Sequence, residues 1–135
     1  MSPQAMAAPI VVHGEDVQQG HARNNPAITT ETYFSNFAGG YLVGASVATH
    51  PAGQECGPHD HRGAVEMFRV EQGSGVIEVG TQRRQVHVGD CVVVPQGVRH
   101  NLIGTSQDEL FVVHCTLVVA PGHEDDPTPW KSTTA

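Results

Sequence analysis

From residue 28 to residue 120 the chain is interrupted every few residues by a turn signal: Arg62-Gly63, Gln72-Gly73, Gly80-Thr81, Gly89-Asp90 and Gln96-Gly97. The runs left between them, such as VEMFRV, GVIEVG, RQVHV, CVVVP, HNLIG and ELFVVHCTLVVA, are too short for helices and rich in Val, Thr and Phe. No stretch sustains a helical period. Upstream, TTETYFSNF and YLVGASVAT flank Gly39-Gly40 and read as a hairpin with a loose turn. With 15 glycines and 9 prolines as punctuation, the pattern predicts an all-β domain. Many short strands at regular spacing point to a sandwich or barrel, in which closing the sheet removes sticky edges.

At 135 residues the chain suits a single domain whose core stands without disulfides. Residues 1–9 carry no period and are expected to be disordered. The barrel is expected over 10–120, where IVVH at 10–13 reads as a short strand on a sheet edge or a partner subunit, and the polar stretch 14–27 reads as loop. The tail, 121–135, is expected to be loop lying over the surface with Trp130 as its anchor.

The formal charge is −7 and the longest basic cluster is Arg83-Arg84, so nucleic acid and anionic membrane are expected to be excluded as partners. Lys131, the sole lysine, lies in the tail, which removes Schiff-base catalysis. Cys56, Cys91 and Cys115 form an odd set, and the chain opens without the apolar region of a secretory signal; a reduced, cytoplasmic setting is expected. No run approaches the ~18 apolar residues of a membrane span.

The chemistry concentrates in GPHDHRGAVEMFRVEQG, residues 57–73. Alternate residues of a strand face the same way, so His59 and His61 can aim their rings at one point, where a metal ion is the natural occupant. A turn through Arg62-Gly63 would return Glu66 on the neighbouring strand, making three ligands from one hairpin. Tight binding then needs a further histidine from elsewhere, and His100 in GDCVVVPQGVRHN is the best placed.

These residues resemble the two motifs of the cupin superfamily. The first runs Gly53, five residues, His59, one, His61, four, Glu66, six, Gly73; the second runs Gly89, five residues, Pro95, one, Gly97, two, His100. Fifteen residues separate the motifs, as in compact single-domain cupins. The asparagine that often closes the second motif is absent: Gly104 stands there, and Asn101 follows the histidine directly. The resemblance covers residues 53–101 and implies a cupin-type double-stranded β-helix, a jelly-roll barrel. It also implies that His59, His61, Glu66 and His100 hold one divalent transition metal (zinc, iron, manganese, nickel or cobalt) with positions open to water or substrate.

Around that set, Phe68 and Val70 share the parity of Glu66, and Leu102 that of His100, so an apolar cavity is expected; Tyr33, Phe34, Tyr41 or Val43 are further contributors of unfixed parity. His114, inside an apolar run, has two readings: a cavity group acting with Glu66 in acid–base catalysis or as a further ligand, or a core histidine with a satisfied ring. His87 is expected to face outward, and His13, His21, His50 and His123 to lie on the surface. The cysteines read as packing residues, with Cys56 near the metal. Cupin chemistry does not choose its own function. The first expectation is a metal-dependent enzyme acting on an enolisable or phenolic small molecule, like a polyketide cyclase or isomerase. The alternatives are an iron- or manganese-dependent dioxygenase and a non-enzymatic small-molecule binder. A homodimer is expected, through strands near 10–13 and 110–119.

Overall fold

Ten strands account for the architecture of a computed structural model, which describes residues 9, 11–38, 41–123 and 130–132, with 34–38 and 130–132 described by backbone alone. In chain order they are β1 (Gln18–Ala22), β2 (Asn25–Ala38), β3 (Tyr41–His50), β4 (Ala64–Gln72), β5 (Ser74–Val79), β6 (Gln82–His87), β7 (Cys91–Val94), β8 (His100–Gly104), β9 (Phe111–Val119) and β10 (Trp130–Ser132). They form a seven-stranded sheet, β10-β1-β2-β3-β9-β4-β7, and a three-stranded sheet, β6-β5-β8. The named pairings are antiparallel, and the fold is a jelly roll.

Alternation decides which side chains enter the space between the sheets. Along β4, Ala64, Glu66, Phe68 and Val70 are buried while Val65, Met67 and Arg69 are exposed. Along β9, Phe111, Val113, Cys115, Leu117 and Val119 face inward. Ile77 of β5 and Leu102 of β8 meet Phe68, Val70, Phe111, Val113 and Cys115 from the small sheet in one apolar core, while Ala64, Leu117 and Val119 form a second cluster.

Glycine is required where strands leave the core. Gly73, between β4 and β5, has φ 74°, and a side chain there would run into the Leu110 carbonyl. Gly75 faces inward on β5, where a Cβ would sit 2.6 Å from the Phe111 ring. Gly104 explains the missing motif asparagine: an added Cβ would meet Phe111, His50 and Pro51 at 3.2–3.3 Å, too close for a larger side chain without rearrangement.

The ends of the chain differ from the sequence reading. Val11–His13 form no strand and lead into a 3₁₀ turn at Gly14–Asp16, whereas the polar stretch read as loop supplies β1 and the start of β2. Ala22 is the single buried residue of β1, so its backbone pairing leaves no alternation in the sequence to detect. The tail also joins the sheet: Trp130–Ser132 pair with β1 through Ala22↔Trp130 and Gly20↔Ser132. The hairpin expected around Gly39-Gly40 is present in its strands, which pair as far as Ala38↔Tyr41. The segment expected to be disordered, 1–9, lies outside the described residues apart from Pro9. Among the described residues, no helix is long and apolar enough to cross a membrane.

Candidate metal centre

His59 and His61 sit on an extended segment that is not a regular strand. Glu55 bridges Ile103 and His59 bridges His100, so the segment runs antiparallel to β8. His59 N donates to His100 O at 3.0 Å, and His100 N returns a bond to His59 O at 2.8 Å. Asn101, 3% exposed, adds a side-chain tie: its Oδ1 accepts from Gly57 N at 3.0 Å.

The single hairpin expected to carry three of the four residues does not form. Both edges of β4 are occupied, by β7 and β9, so Glu66 cannot pair with the histidine segment. The Arg62-Gly63 turn carries the chain from one sheet to the other, and Glu66 approaches the imidazoles across the interior. Even so, His59, His61, Glu66 and His100 come together, with one ligand atom of each lying within 4.8 Å of the others.

Their orientation is set by backbone carbonyls. His59 Nδ1 lies 2.8 Å from Gly57 O and His100 Nδ1 2.9 Å from Val98 O. A carbonyl only accepts, so each Nδ1 donates and each Nε2 is turned to the common centre. Glu66 Oε1 is 3.1 Å from His100 Nε2 and 3.4 Å from His61 Nε2. The first is a hydrogen bond, the second an ion contact without hydrogen-bond alignment. His59 Nε2, His61 Nε2 and Glu66 Oε2 are buried without a hydrogen-bond partner. Unpaired buried groups of this kind cost about 1–3 kcal/mol each, and a cation among them would satisfy all three. The donor set fits a divalent transition metal.

The charges are arranged the same way. Burial pushes the His59 pKa down, only partly offset by its bond to Gly57, so the ring is neutral as a metal ligand must be. Burial would raise the Glu66 carboxyl, but the His100 and His61 contacts outweigh it and hold it below its usual value. Burial would also lower His100, yet its hydrogen bonds to Glu66 and Val98 raise it. Cys56 stands outside the four-residue cluster, and burial pushes its thiol pKa up to about 11.

Beside the cluster opens a cavity of about 190 Å³, walled by Phe68 and Leu102 as expected, with Cys56 also on its lining. Val70 packs in the adjoining core. The early strands contribute Ile28, Thr30, Ser46, Ala48 and His50. Tyr41 instead is exposed, Tyr33 and Val43 do not line the cavity, and the Phe34 side chain lies outside the described residues.

His114 is in neither expected place. With Val113 and Cys115 facing in, alternation turns it outward, where Nε2 contacts Glu71 Oε1 at 3.0 Å and the two side chains are 42% and 40% exposed. It is therefore not a cavity acid–base group, a ligand or a core histidine. His50 is the opposite case: it ends β3 on the inward parity of Ser46 and Ala48 and is 1% exposed. The following Pro-Ala-Gly disguised it as loop, although that parity was a readable signal. His87 is exposed as expected.

Comparison with known families decides the lineage. A model of the cupin domain matches residues 46–126, which contain all four clustered side chains. The chain belongs to the cupin family. A curated relative, an uncharacterized protein of Bacillus subtilis (strain 168), YrkC, is 31% identical over 77 residues, 53% of this cupin and 40% of the relative. The match thus spans well under half of that protein. Solved structures agree in fold. KdgF from Halomonas sp. superposes with TM-score 0.68 at 16% identity, covering 85% of this chain and 97% of that one. A predicted oxalate decarboxylase from Thermotoga maritima gives TM-score 0.64 at 17% identity, covering 82% and 99%. At such identities the likeness is one of architecture.

Buried His50 gives this cupin an acid sensitivity of its own. Burial lowers its pKa from 6.5 to about 4, against a small opposing effect of its bond to Phe111 O. The unfolded chain therefore takes up a proton below pH 6.5 that the folded chain refuses until about pH 4. The stabilisation is present above 6.5 and is lost as pH falls toward 4, by on the order of 3 kcal/mol. Urea unfolding at pH 7.5 and pH 4.5 is expected to show a smaller loss in His50→Gln than in the parent; equal losses would remove His50 from the account.

Proposed function

We propose that His59, His61, Glu66 and His100 hold one divalent transition metal, and that this cupin is a metal-dependent enzyme acting on an enolisable or phenolic small molecule, in the manner of a polyketide cyclase or isomerase. The observation that carries the reading is the trio of unpartnered buried atoms, His59 Nε2, His61 Nε2 and Glu66 Oε2, converging beside an apolar cavity. When bound, such a metal supplies Lewis-acid polarisation of a carbonyl or enolic oxygen.

The chain's own residues do the rest. Gly57 and Val98 carbonyls hold the His59 and His100 rings in the tautomer that presents Nε2. Glu66 presents two carboxylate oxygens to the cluster: with one on the cation, the other would take and return the proton of an acidic C–H or O–H. Phe68 and Leu102 exclude water around the reacting group, and the cavity of about 190 Å³ suits a compound of one small ring system. The free thiols of Cys56, Cys91 and Cys115 suit a reducing cytoplasm.

An anaerobic screen of enolisable ketones and phenols in D₂O, read by NMR, tests the chemistry. Expected are deuterium incorporation at the acidic carbon or rearrangement without oxygen, lowered about 100-fold or more in Glu66→Gln. Oxygen uptake with substrate would replace this reading with a dioxygenase, and saturable binding without turnover would replace it with a carrier.

We also propose a homodimer through the outer face of β4, β7 and β9. Met67 pairs with Val93 and Thr116, and Val65 with Val118, so the exposed apolar side chains form one continuous patch. Tyr41, at the far end of β3, extends the exposed apolar surface. Light scattering at micromolar concentration is expected to give twice the 14.4 kDa chain mass, and Met67→Glu the mass of one chain. A monomeric parent would sink the proposal.

A further inference from the structure

Part of the cavity wall carries polar atoms that neither the fold nor the metal cluster uses. Across β2 and β3, Thr30 stands opposite Ala48 and Thr32 opposite Ser46. His50 is the next residue of Ala48's parity, so Thr30 has Ser46 and His50 as diagonal neighbours on the inward face, at a typical backbone separation of about 7–8 Å. Thr30 is 3% exposed and lines the cavity, yet its Oγ1 has no hydrogen-bond partner. The residue directly opposite is an alanine, which offers no polar atom and leaves space above the hydroxyl.

His50 is the matching acceptor. Its Nδ1 lies 3.2 Å from Phe111 O, and because a carbonyl cannot donate, the proton is on Nδ1. The ring, kept neutral by burial, carries its lone pair on Nε2, and His50 lines the cavity. This part of the wall is separate from the metal cluster: His50 pairs with Phe111 of β9, while Glu66 pairs with Leu117, six residues along that strand. Phe68, paired with Cys115, falls in a row between them.

We propose that Thr30 Oγ1 and His50 Nε2 form a second subsite in the cavity, which takes a neutral hydroxyl group of the small molecule whose reacting oxygen faces the histidine–glutamate cluster. A hydroxyl donates to Nε2 and accepts from the Thr30 O–H. A carbonyl, carboxylate or ether oxygen would set a lone pair against that of Nε2, and is rejected. The substrate class narrows to phenols or alcohols with a free hydroxyl remote from the reacting oxygen, across an apolar middle. The assignment of the reacting end rests on the function proposed above; the subsite itself rests on Thr30, His50 and the His50 bond to Phe111 O.

Phenol and anisole, the same ring with its hydroxyl free or methylated, serve as probes. Each is titrated into the purified 135-residue protein and followed by the imidazole ¹⁵N signals. Phenol is expected to bind saturably, shift the His50 Nε2 signal and bind about tenfold more tightly than anisole. Thr30→Val, which exchanges the hydroxyl for a methyl, should bring phenol down to the anisole level, leave anisole unchanged and be at least as thermostable as the parent. Three results would overturn the subsite: no phenol binding at millimolar concentration, equal affinities for the two probes, or a marked loss of stability in Thr30→Val, which would show the hydroxyl already satisfied within the fold. Metal content measured on the same samples separates the two proposals. A metal-free protein that still prefers phenol sinks the catalytic reading alone, and a metal-loaded one without the preference sinks the subsite alone.

Discussion

Two backbone hydrogen bonds between His59 and His100, at 3.0 and 2.8 Å, fasten an otherwise irregular segment to β8, and the centre is built around that bridge. They hold two of the imidazoles with ring centroids 4.3 Å apart before any side-chain interaction is counted. Gly97 N adds a bond to His61 O at 2.9 Å, so the loop after β7 fixes the third ring's backbone as well. Only Glu66 comes from the opposite sheet, delivered by the inward parity of β4. A side chain mounted on strands in this way moves little, as a ligand or base must.

The centre is costly by itself. Glu66 is 1% exposed, and the imidazoles of His59, His61 and His100 share its pocket. Without a cation, the one strong compensation is the His100–Glu66 hydrogen bond, which raises the histidine and lowers the carboxyl while leaving three polar atoms unpaired. Folds retain such a deficit where a function needs it, and a bound divalent ion would convert the deficit into coordination.

The sequence made the all-β fold and the four clustered residues legible for different reasons. Strand runs and turn glycines are local signals, and Gly73 shows their physical origin in a φ that other residues resist. The four side chains are readable through motif spacing, but their geometry is not: Glu66 arrives across the barrel rather than along a hairpin, because pairing partners of β4 are chosen by tertiary contacts. Strands β1 and β10 escaped notice because edge pairing needs only backbone groups. His114 misled because β9 is apolar on both faces, with Val112 and Val118 beside it on the outside. His50 was hidden by the proline that follows it, because β3 ends on the histidine itself, already turned inward.

Elemental analysis of the purified, metal-supplemented protein beside His61→Ala and His100→Ala tests the central claim most directly. The account predicts about one divalent transition metal per chain in the parent and its loss from both variants, each still showing the β-sheet signature of the fold. A well-folded parent that holds no metal would contradict it, and would leave His59, His61, Glu66 and His100 as a hydrogen-bonded polar cluster in a metal-free pocket.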